Sequence, residues 1–394
     1  MRNSLFLLLL LCVFVFSGQA QSLWIADNNP NAPTGANIFP TIQEAVDAAM
    51  AGDTIYIQPS NTKYGTATTN IELHFRGIGF NLDKDVPYTS DVTRINLYGA
   101  PDGSTNPSNS SISGINFPTS SNGIYLGKAS SGDQTYTLSG VRIYNNFINS
   151  LSYVSAVPID DILVAYNYFN VMLYNNTVTN SVIRNNVVDA YIQFTSNING
   201  VTTATVSNNI INGYIYKVSL DDFLVVQNNL FVGNGSTSTA FAFAMENAII
   251  SNNIFYGATP SVTGAGNSTS ISFENNVFSN NISFSTGNND LPPAGGGAGN
   301  TGTGNLANTD PQLTSPTLST TWQSTDDYTL EAGSPALGAG TDATDIGISG
   351  GPYPFGSPNL QLETSPIPTI QSLNISTVIN VGQDLEVEVS AKSN

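Results

Sequence analysis

The sequence predicts an all-β solenoid, a single-stranded parallel β-helix, and three observations lead to this prediction. The chain has 394 residues, of which 40% are hydrophobic but only 10% are charged, whereas globular domains usually have roughly one quarter of charged residues. An asparagine pair set between apolar residues recurs along the middle of the chain. The apolar residues around this pair are mainly Ile, Val and Phe, which favour strands.

The repeat aligns on the second asparagine of each pair, and its spacings are 21, 19, 23, 20, 24 and 23 residues. A recurring period of this length is typical of solenoids. The position three before this asparagine and the two positions after it are apolar in all copies, while the position two before it varies. Stacked strands require such columns, and we predict that the apolar positions face the interior while the variable position faces outward. The seven aligned residues are Asn146, Asn167, Asn186, Asn209, Asn229, Asn253 and Asn276.

A leucine-rich repeat is the alternative solenoid, because it also has an asparagine at a comparable spacing. The preference for Ile, Val and Phe over Leu argues against it. The remainder of each repeat has no helical periodicity and instead alternates, as in YIQF (191–194), YIYKV (214–218) and AFAFAM (240–245). Alternation of this kind predicts further strands, so the β-helix is favoured.

The asparagine column has a structural explanation. Successive coils of a β-helix lie roughly 4.8 Å apart, so each carboxamide can donate to the carboxamide of the next coil and satisfy buried polar groups. The residue before it, Asn in six copies and Tyr166 in the second, is predicted to form the corner, because Asn tolerates the left-handed conformation. We therefore predict a structural ladder and not a binding site.

Residues 1–20 are predicted to be a signal peptide. Arg2 precedes the apolar run 5–16, and the small residues of Gly18-Gln19-Ala20 follow as a cleavage site requires. The mature chain is then expected to start near Gln21 and to be secreted, extracellular or at the cell surface. It would have no cysteine and no membrane span.

The β-helix domain is predicted to extend over residues 21–360. In FPTIQEAVDAAMAGDTIYI (39–57), an apolar face and a following Gly52 predict a cap helix over about 40–51, and a cap protects the open edge of a solenoid. The Gly/Asn-rich stretch 286–309 is predicted to be a loop. Residues 361–394 are predicted to form a linker, TSPIPT (364–369), and a short C-terminal β extension with a strand pair within 375–389.

Two segments carry a family resemblance. PTIQEAVDAAMAGDTIYIQPSNTKYG (40–65), together with the NN-containing coils, resembles the secreted right-handed parallel β-helix proteins of the pectin-lyase-like superfamily. DYTLEAGSPALGAGTDATDIG (327–347) looks like the closing coil of bacterial members. The resemblance covers most of residues 24–356 and implies a right-handed helix. It does not decide function, because the superfamily includes polysaccharide lyases, glycoside hydrolases, adhesins and phage tailspikes.

The excess of acidic residues limits which partners the protein can bind. The chain has 28 Asp and Glu against 10 Lys and Arg, a formal net charge of −18. Such a chain repels nucleic acid, and anionic polysaccharide as well unless a cation bridges the two. We expect no nucleic-acid partner, no metal site and no cofactor, with Ca²⁺ required only if the protein is a lyase.

Catalytic candidates are few, and the sequence leaves open whether the protein is an enzyme. A pectate-type lyase needs a base and carboxylates for Ca²⁺, and Arg184, Asp189 and Lys217 are the best available set. A glycoside hydrolase needs two carboxylates about 5–10 Å apart, and the doublets Asp160-Asp161 and Asp221-Asp222 lie roughly 14 Å apart if their coils stack. We favour structural roles for all these charges.

A binding surface is the other candidate. Tyr191 and Tyr214 lie at the same position in consecutive coils, with Gln193 and Tyr216 two residues farther on. If Ile192 faces inward, these side chains face outward, and aromatic rings beside amides suit contact with neutral sugars. The sequence thus favours a module associated with polysaccharide, a glycan or a cell surface, with a lyase or hydrolase and a purely structural or adhesive solenoid as alternatives. It does not predict the ligand or the oligomeric state.

Overall fold

The computed structural model describes most of the chain from residue 22 onward. The predicted signal segment lies outside the described residues, as do Asp221 and Asp222. The described residues are 22–79, 88–100, 102–119, 123–127, 136–154, 157–174, 178–194, 203–217, 223–243, 245–262, 273–293, 299–323, 325–355, 369–375 and 387–392. Among them, no helix is both long and apolar enough to cross a membrane.

Two long parallel sheets form the body of the protein. Sheet 1 has 13 strands, in the spatial order Ile38–Phe39, Leu23–Ala26, Asp53–Ile57, Leu73–Arg76, Ser111–Ser113, Arg142–Tyr144, Leu163–Ala165, Ser181–Arg184, Thr203–Ser207, Phe223–Gln227, Ile249–Ser251, Val277–Ser279 and Thr301–Thr303.

Sheet 2 has 14 strands, and the coils contribute to it in the same order as to sheet 1. They are Tyr64–Thr69, Val92–Tyr98, Asn116–Phe117, Gly123–Gly127, Phe147–Val154, Tyr168–Tyr174, Val187–Phe194, Ile210–Ile211, Tyr214–Lys217, Leu230–Val232, Thr239–Phe243, Ile254–Tyr256, Thr259–Val262 and Ile282–Phe284.

Shorter strands close the third side of several coils. Three of them, Leu138–Ser139, Ile159–Asp160 and Val178–Thr179, form a small parallel sheet, and Met245–Glu246 pairs in parallel with Phe273–Glu274. The regular coils thus each contribute one strand to sheet 1 and one or two strands to sheet 2, and they enclose a shared apolar interior. Columns such as Ile143, Val164 and Ile183 are fully buried there. The prediction of a parallel β-helix is confirmed.

The asparagine ladder runs through the corner between sheets 1 and 2. The Oδ1 atom of Asn186 accepts hydrogen bonds from the backbone N–H and the Nδ2 of Asn167, at 2.9 and 3.0 Å. The same contacts repeat from coil to coil, and the side chains are fully buried except for that of the last member, Asn305, which is partly exposed. The successive members are Asn146, Asn167, Asn186, Asn209, Asn229, Asn253, Asn281 and Asn305.

Asn276 does not belong to this ladder, which corrects the predicted alignment. The partner of Asn253 is Asn281, 28 residues farther on. Between them Asn275 makes a second corner, after the third-side strand Phe273–Glu274 and before sheet 1, as Asn247 does in the preceding coil. Asn276 forms a separate rung at that second corner and pairs with Asn300 at 3.1 Å. Since Asn300, Asn305 and the strand Thr301–Thr303 all lie within the predicted loop 286–309, that stretch contributes another coil.

The residue before each ladder asparagine makes the corner. Asn185, Asn208, Asn228 and Asn252 have φ between 53° and 56°, and Tyr166 takes the same left-handed conformation at 57°. Asn adopts this conformation more readily than most residues, so the role predicted for the first residue of the pair is confirmed.

The helix Ile42–Ala48 contacts the first coils at the N-terminal end. The Thr41 side chain accepts a hydrogen bond from the Glu44 backbone N–H at 3.2 Å, a standard helix N-cap. The buried residues of the helix are Ile42, Ala45 and Val46. Gly52 has φ +89° but lies four residues beyond the helix end, so it forms the following turn and not the helix C-cap that was predicted.

Asp53, the first residue of the strand Asp53–Ile57, is buried and fixes this end of the protein. Burial raises the pKa of its carboxyl, but hydrogen bonds from the Trp24 indole and from the backbone N–H groups of Met50 and Ser22 outweigh burial and hold the pKa below its usual value.

The predicted closing coil, 327–347, does not extend the helix. Asp327–Leu330 pairs in antiparallel fashion with Leu313–Ser315, outside both long sheets. Residues 339–353, here called the strap, then run back along the corner asparagines, in the direction opposite to the growth of the coils. The corner side chains bond to it in turn, as Asn280 to Ala339, Asn252 to Thr341, Asn228 to Gly347, Asn208 to Gly350 and Asn185 to Tyr353.

The strap and the segment before it cover an outward apolar column of sheet 2. Val187, Ile210, Leu230, Ile254 and Ile282 are buried against them. The first residue after each ladder asparagine therefore faces outward, and the next one faces the interior, since successive strand residues alternate. This outward column explains why residues 311–355 fold back along the side of the helix.

The C-terminal extension is an antiparallel hairpin of Thr369–Ile375 and Val387–Lys392. A strand pair was predicted within 375–389, but the first strand begins earlier, at the end of the predicted linker.

Candidate functional site

The tyrosine stripe lies on the outer surface of sheet 2. Ile192 and Ile215 are fully buried, while Tyr191 and Tyr214 are partly exposed, as strand alternation requires. The two tyrosine rings stack with centroids 5.5 Å apart and planes 11° apart. In the neighbouring outward column, Gln193 is paired in register with Tyr216.

The stack ends at Tyr214. The register that pairs Ile215 with Phe241 places Ala240 next in the column, and its side chain is a single methyl group. Burial raises the pKa of the Tyr214 hydroxyl, with smaller contributions from Tyr191 and Tyr216. One face of the Tyr214 ring is thus occupied by Tyr191, and the other is directed toward the next coil.

A cleft of about 480 Å³ adjoins this ring. Its lining comes from three consecutive coils and from residue 320 of the segment after the last coil. The lining residues are Asp189, Ala190, Tyr191, Asn212, Gly213, Tyr214, Asn234, Thr237, Ser238, Thr239 and Thr320.

The loop 234–238 forms one wall and is held by its first residue. The Asn234 Oδ1 accepts hydrogen bonds from the backbone N–H groups of Ser236, Thr237 and Ser238, at 3.1, 3.0 and 3.2 Å. A side chain that satisfies three backbone donors fixes the turn, so this wall is preformed.

Gly213 allows the close approach of two coils beneath the cleft. A Cβ atom at this position would lie 1.4 Å from the carbonyl oxygen of Ala190. No side chain fits there, and the glycine sets the position of the adjacent Tyr214.

Asp189 anchors the opposite wall. Its Oδ1 accepts from the backbone N–H of Trp322 at 2.9 Å and from Nδ2 of Asn212 at 3.2 Å, and its Oδ2 accepts from the Tyr168 hydroxyl. Burial and this hydrogen bond raise the pKa of Tyr168. The carboxylate is therefore used to fix the Trp322 segment on the helix, whereas it was predicted as a catalytic candidate.

Two buried polar atoms at this end of the cleft have no hydrogen-bond partner among the described residues. They are Oδ1 of Asn212 and Nε1 of Trp322. Asn212 is only 4% exposed. The Nδ2 of Asn212 and the backbone N–H of Trp322 both donate to Oδ1 of Asp189. The acceptor Oδ1 of Asn212 and the donor Nε1 of Trp322 are left without a partner among the described residues.

Arg184 lies on sheet 1, before the corner that separates it from Asp189. Its guanidinium is 4.4 Å from the ring centroid of Tyr353 and 5.2 Å from that of Tyr166. Nη1 also donates to the Tyr166 hydroxyl at 3.1 Å and to Oδ1 of Asn185 at 2.8 Å. Since Tyr353 belongs to the strap, Arg184 holds the end of the strap against the helix.

Lys217 is fully buried, and its Nζ donates to the carbonyl of Glu246 at 2.9 Å. It alternates with the partly exposed Tyr216 and therefore points inward. The predicted Arg184, Asp189 and Lys217 patch does not form one exposed surface, because its members lie on two sheets and one of them is inaccessible.

The acidic doublet Asp160-Asp161 also has structural partners. Asp160 accepts from Thr179 and Asn180, which lowers its pKa, and Asp161 pairs with Arg142 at 2.8 Å. Within the described part of the chain, no three His, Cys, Asp or Glu side chains cluster as metal ligands would.

The walls of the cleft were not predicted from the sequence. The run NGSTST (234–239) is recognisable as a turn, and Asn212-Gly213 follows the ladder pair, but neither signal places these residues beside the tyrosines. Thr320 and Trp322 come from a segment more than 100 residues away in the sequence.

The chain matches no known protein-family description, and no curated protein is similar to it.

Proposed function

We propose that this protein is a secreted right-handed parallel β-helix of the pectin-lyase-like type that binds a neutral glycan in the cleft beside Tyr214. The single observation that carries the proposal is the stacked tyrosine pair, which ends with a ring face directed at a preformed cleft.

The chemistry of the cleft suits a sugar. Aromatic faces bind the apolar faces of sugar rings, while a few polar groups fix orientation in ligand clefts. Asn212, Asn234, Thr237 and Ser238, which carry amide and hydroxyl groups, line the same cleft as Tyr214. Because the loop that carries three of them is held by its own hydrogen bonds, little conformational entropy is lost on binding.

The charges favour a neutral ligand over a polyuronate. Among the described residues, the cleft lining contains the carboxylate of Asp189 and no Lys or Arg, in a chain of net charge −18. An anionic glycan would meet like charge without a compensating cation. The lyase alternative also loses support, because Lys217 is buried and Arg184 holds the strap.

Calorimetric titration with a defined panel tests the proposal. Cellohexaose, xylohexaose and mannohexaose represent neutral glycans, and hexagalacturonate, with and without Ca²⁺, represents the acidic class. We expect at least one neutral ligand to bind and Tyr214→Ala to weaken it about tenfold, the effect of losing one aromatic contact. Tyr88→Ala is the control, because Tyr88 is 47% exposed in an earlier coil and should not change the affinity.

Two results would overturn the proposal. The first is that hexagalacturonate is the only glycan of the panel that binds, or that none of them binds. The second is release of reducing or unsaturated ends that Arg184→Ala abolishes, which would identify a hydrolase or lyase instead.

A further inference from the structure

Sheet 1 carries an exposed apolar stripe on its outer surface. Phe223, Ile249 and Val277 are 42, 38 and 43% exposed, and contiguous hydrophobic side chains on a protein surface commonly mark an interface. Strand register places Val225, Ile249 and Val277 in one outward column, which continues through the preceding coils. The apolar stripe comprises Leu163, Val182, Thr205, Val225, Ile249 and Val277 of this column, with Phe223 beside it.

A shallow groove of about 310 Å³ lies in the stripe beside the ring of Phe223. Thr203 is paired in register with Phe223 and has a much smaller side chain, so the ring stands at one side of the groove. Asn180 and Val182, from the coil before Thr203, line its other side. An exposed ring and a groove that can receive such a ring thus adjoin each other on one surface.

The stripe contains no charged side chain, although the chain has a net charge of −18. Two copies of such an acidic chain repel each other over most of their surface, and this repulsion is weakest where an uncharged face meets an uncharged face. Burial of the apolar side chains on both copies favours the contact. The chemistry of the stripe therefore suits a second copy of the same surface.

We infer that a second copy of this chain binds to the apolar stripe and forms a two-fold symmetric dimer. A two-fold interface uses the same patch on both subunits. With the axis over the strand Thr203–Ser207 and parallel to it, the coils of the two copies run in opposite directions. Phe223 of each copy then faces Asn180 in the groove of the other. The further facing pairs are Val225 with Val182 and Ile249 with Leu163.

The size of the stripe fits a weak dimer. Six strands about 4.8 Å apart, each roughly four residues long, form a face of about 29 by 13 Å. Burial of this face on both copies lies at the low end of specific interfaces, below about 1,200 Å² in total. We therefore expect a dissociation constant of roughly micromolar size. The cleft beside Tyr214 lies on sheet 2, so dimerisation is expected whether or not that cleft binds a glycan.

Sedimentation equilibrium of the full chain at about 1–100 µM tests the dimer. We expect the average mass to rise with concentration toward twice that of one chain. Phe223→Asp should raise the dissociation constant about a hundredfold, because both halves of the interface lose an aromatic ring and gain a carboxylate. Since Phe223 is exposed, the variant should fold, and its circular dichroism should match that of the wild type.

Leu337→Asp is the matched control. Leu337 is 45% exposed but lies outside both long sheets. The same change of an exposed apolar residue to a carboxylate should therefore leave the dissociation constant unchanged.

Cross-linking tests the orientation of the two copies. Thr205 lies at the proposed axis, so Thr205→Cys should be joined to its own copy by a short bismaleimide. The variant also carries Cys12→Ser, which removes the only cysteine of the chain. Thr301→Cys in the same background is the control. Thr301 is exposed and lies in the same column, four coils from the axis, so its two copies would be about 38 Å apart.

A chain that stays monomeric at about 100 µM, or a dimer that Phe223→Asp leaves unchanged, would overturn the inference. Cross-linking of Thr301→Cys but not of Thr205→Cys would also overturn it, because the copies would then be arranged differently. If the chain is monomeric and Phe223→Asp instead abolishes cosedimentation with phosphatidylcholine vesicles, or binding of the neutral hexasaccharides, the stripe binds lipid or glycan and the inference is wrong.

Discussion

Replacing one ladder asparagine should destabilise the whole β-helix. Asn186→Ala removes a fully buried carboxamide whose Oδ1 accepts from Asn167 and whose Nδ2 donates to the carbonyl groups of Val164 and Arg184, both at 2.9 Å. The buried backbone N–H of Asn167 loses its partner, at a cost of about 1–3 kcal/mol. With the two carbonyl hydrogen bonds, the unfolding free energy should fall by roughly 3–5 kcal/mol.

Equilibrium unfolding in guanidinium chloride, followed by circular dichroism, measures this change. The matched control is Asn170→Ala, because Asn170 is exposed in the neighbouring strand of sheet 2, and surface substitutions typically change stability by less than about 0.5 kcal/mol. An Asn186→Ala variant as stable as this control would refute the reasoning that the ladder stabilises the fold.

Three further predictions concern the strap, the coil spacing and the N-terminal end. Arg184→Ala should increase amide hydrogen exchange in the strap residues near Tyr353 while exchange in the buried strands stays unchanged; equal exchange in the strap would contradict the role of Arg184. Gly213→Ala should lower the melting temperature by several degrees, since its Cβ would lie 1.4 Å from the carbonyl oxygen of Ala190, and an unchanged melting temperature would contradict the close approach. Because the pKa of Asp53 is lowered in the folded state, its stabilisation is complete above about pH 4 and is lost as the pH falls through the folded pKa. Asp53→Asn should therefore melt lower than the wild type at neutral pH and lose less stability on acidification to about pH 3. The same difference in melting temperature between the two proteins at both pH values would argue against this.

Much of the architecture could be predicted from the sequence, because the ladder imposes a periodic pattern. Six of the seven aligned asparagines lie in one row, and the corner role extends even to Tyr166. The seventh was misassigned because two NN pairs, at 275–276 and 280–281, follow Asn253. The nearer pair fits the earlier spacing, but β-helix coils accept extra residues at their corners, so register depends on backbone pairing and not on chain length.

The strap was missed because two successive apolar columns were both assigned to the interior. In Val187-Val188 only the second residue can face inward on a strand, and the first requires a cover. The pattern thus contained a signal for residues 311–355, although not for their course along the corner.

The candidate site was only partly predictable. Outward tyrosines follow from alternation, so Tyr191 and Tyr214 could be identified. The inward position of Lys217, two residues after Ile215, follows from the same alternation. The wall formed around Thr320 and the anchoring role of Asp189 depend on contacts between distant segments, which no local pattern encodes.

The most direct test of the central claim is a crystal structure of the protein with the tightest-binding neutral hexasaccharide. We predict one sugar ring inside the cleft, stacked on the face of Tyr214 that Tyr191 does not cover. A sugar bound at another surface, with the cleft empty, would contradict the account.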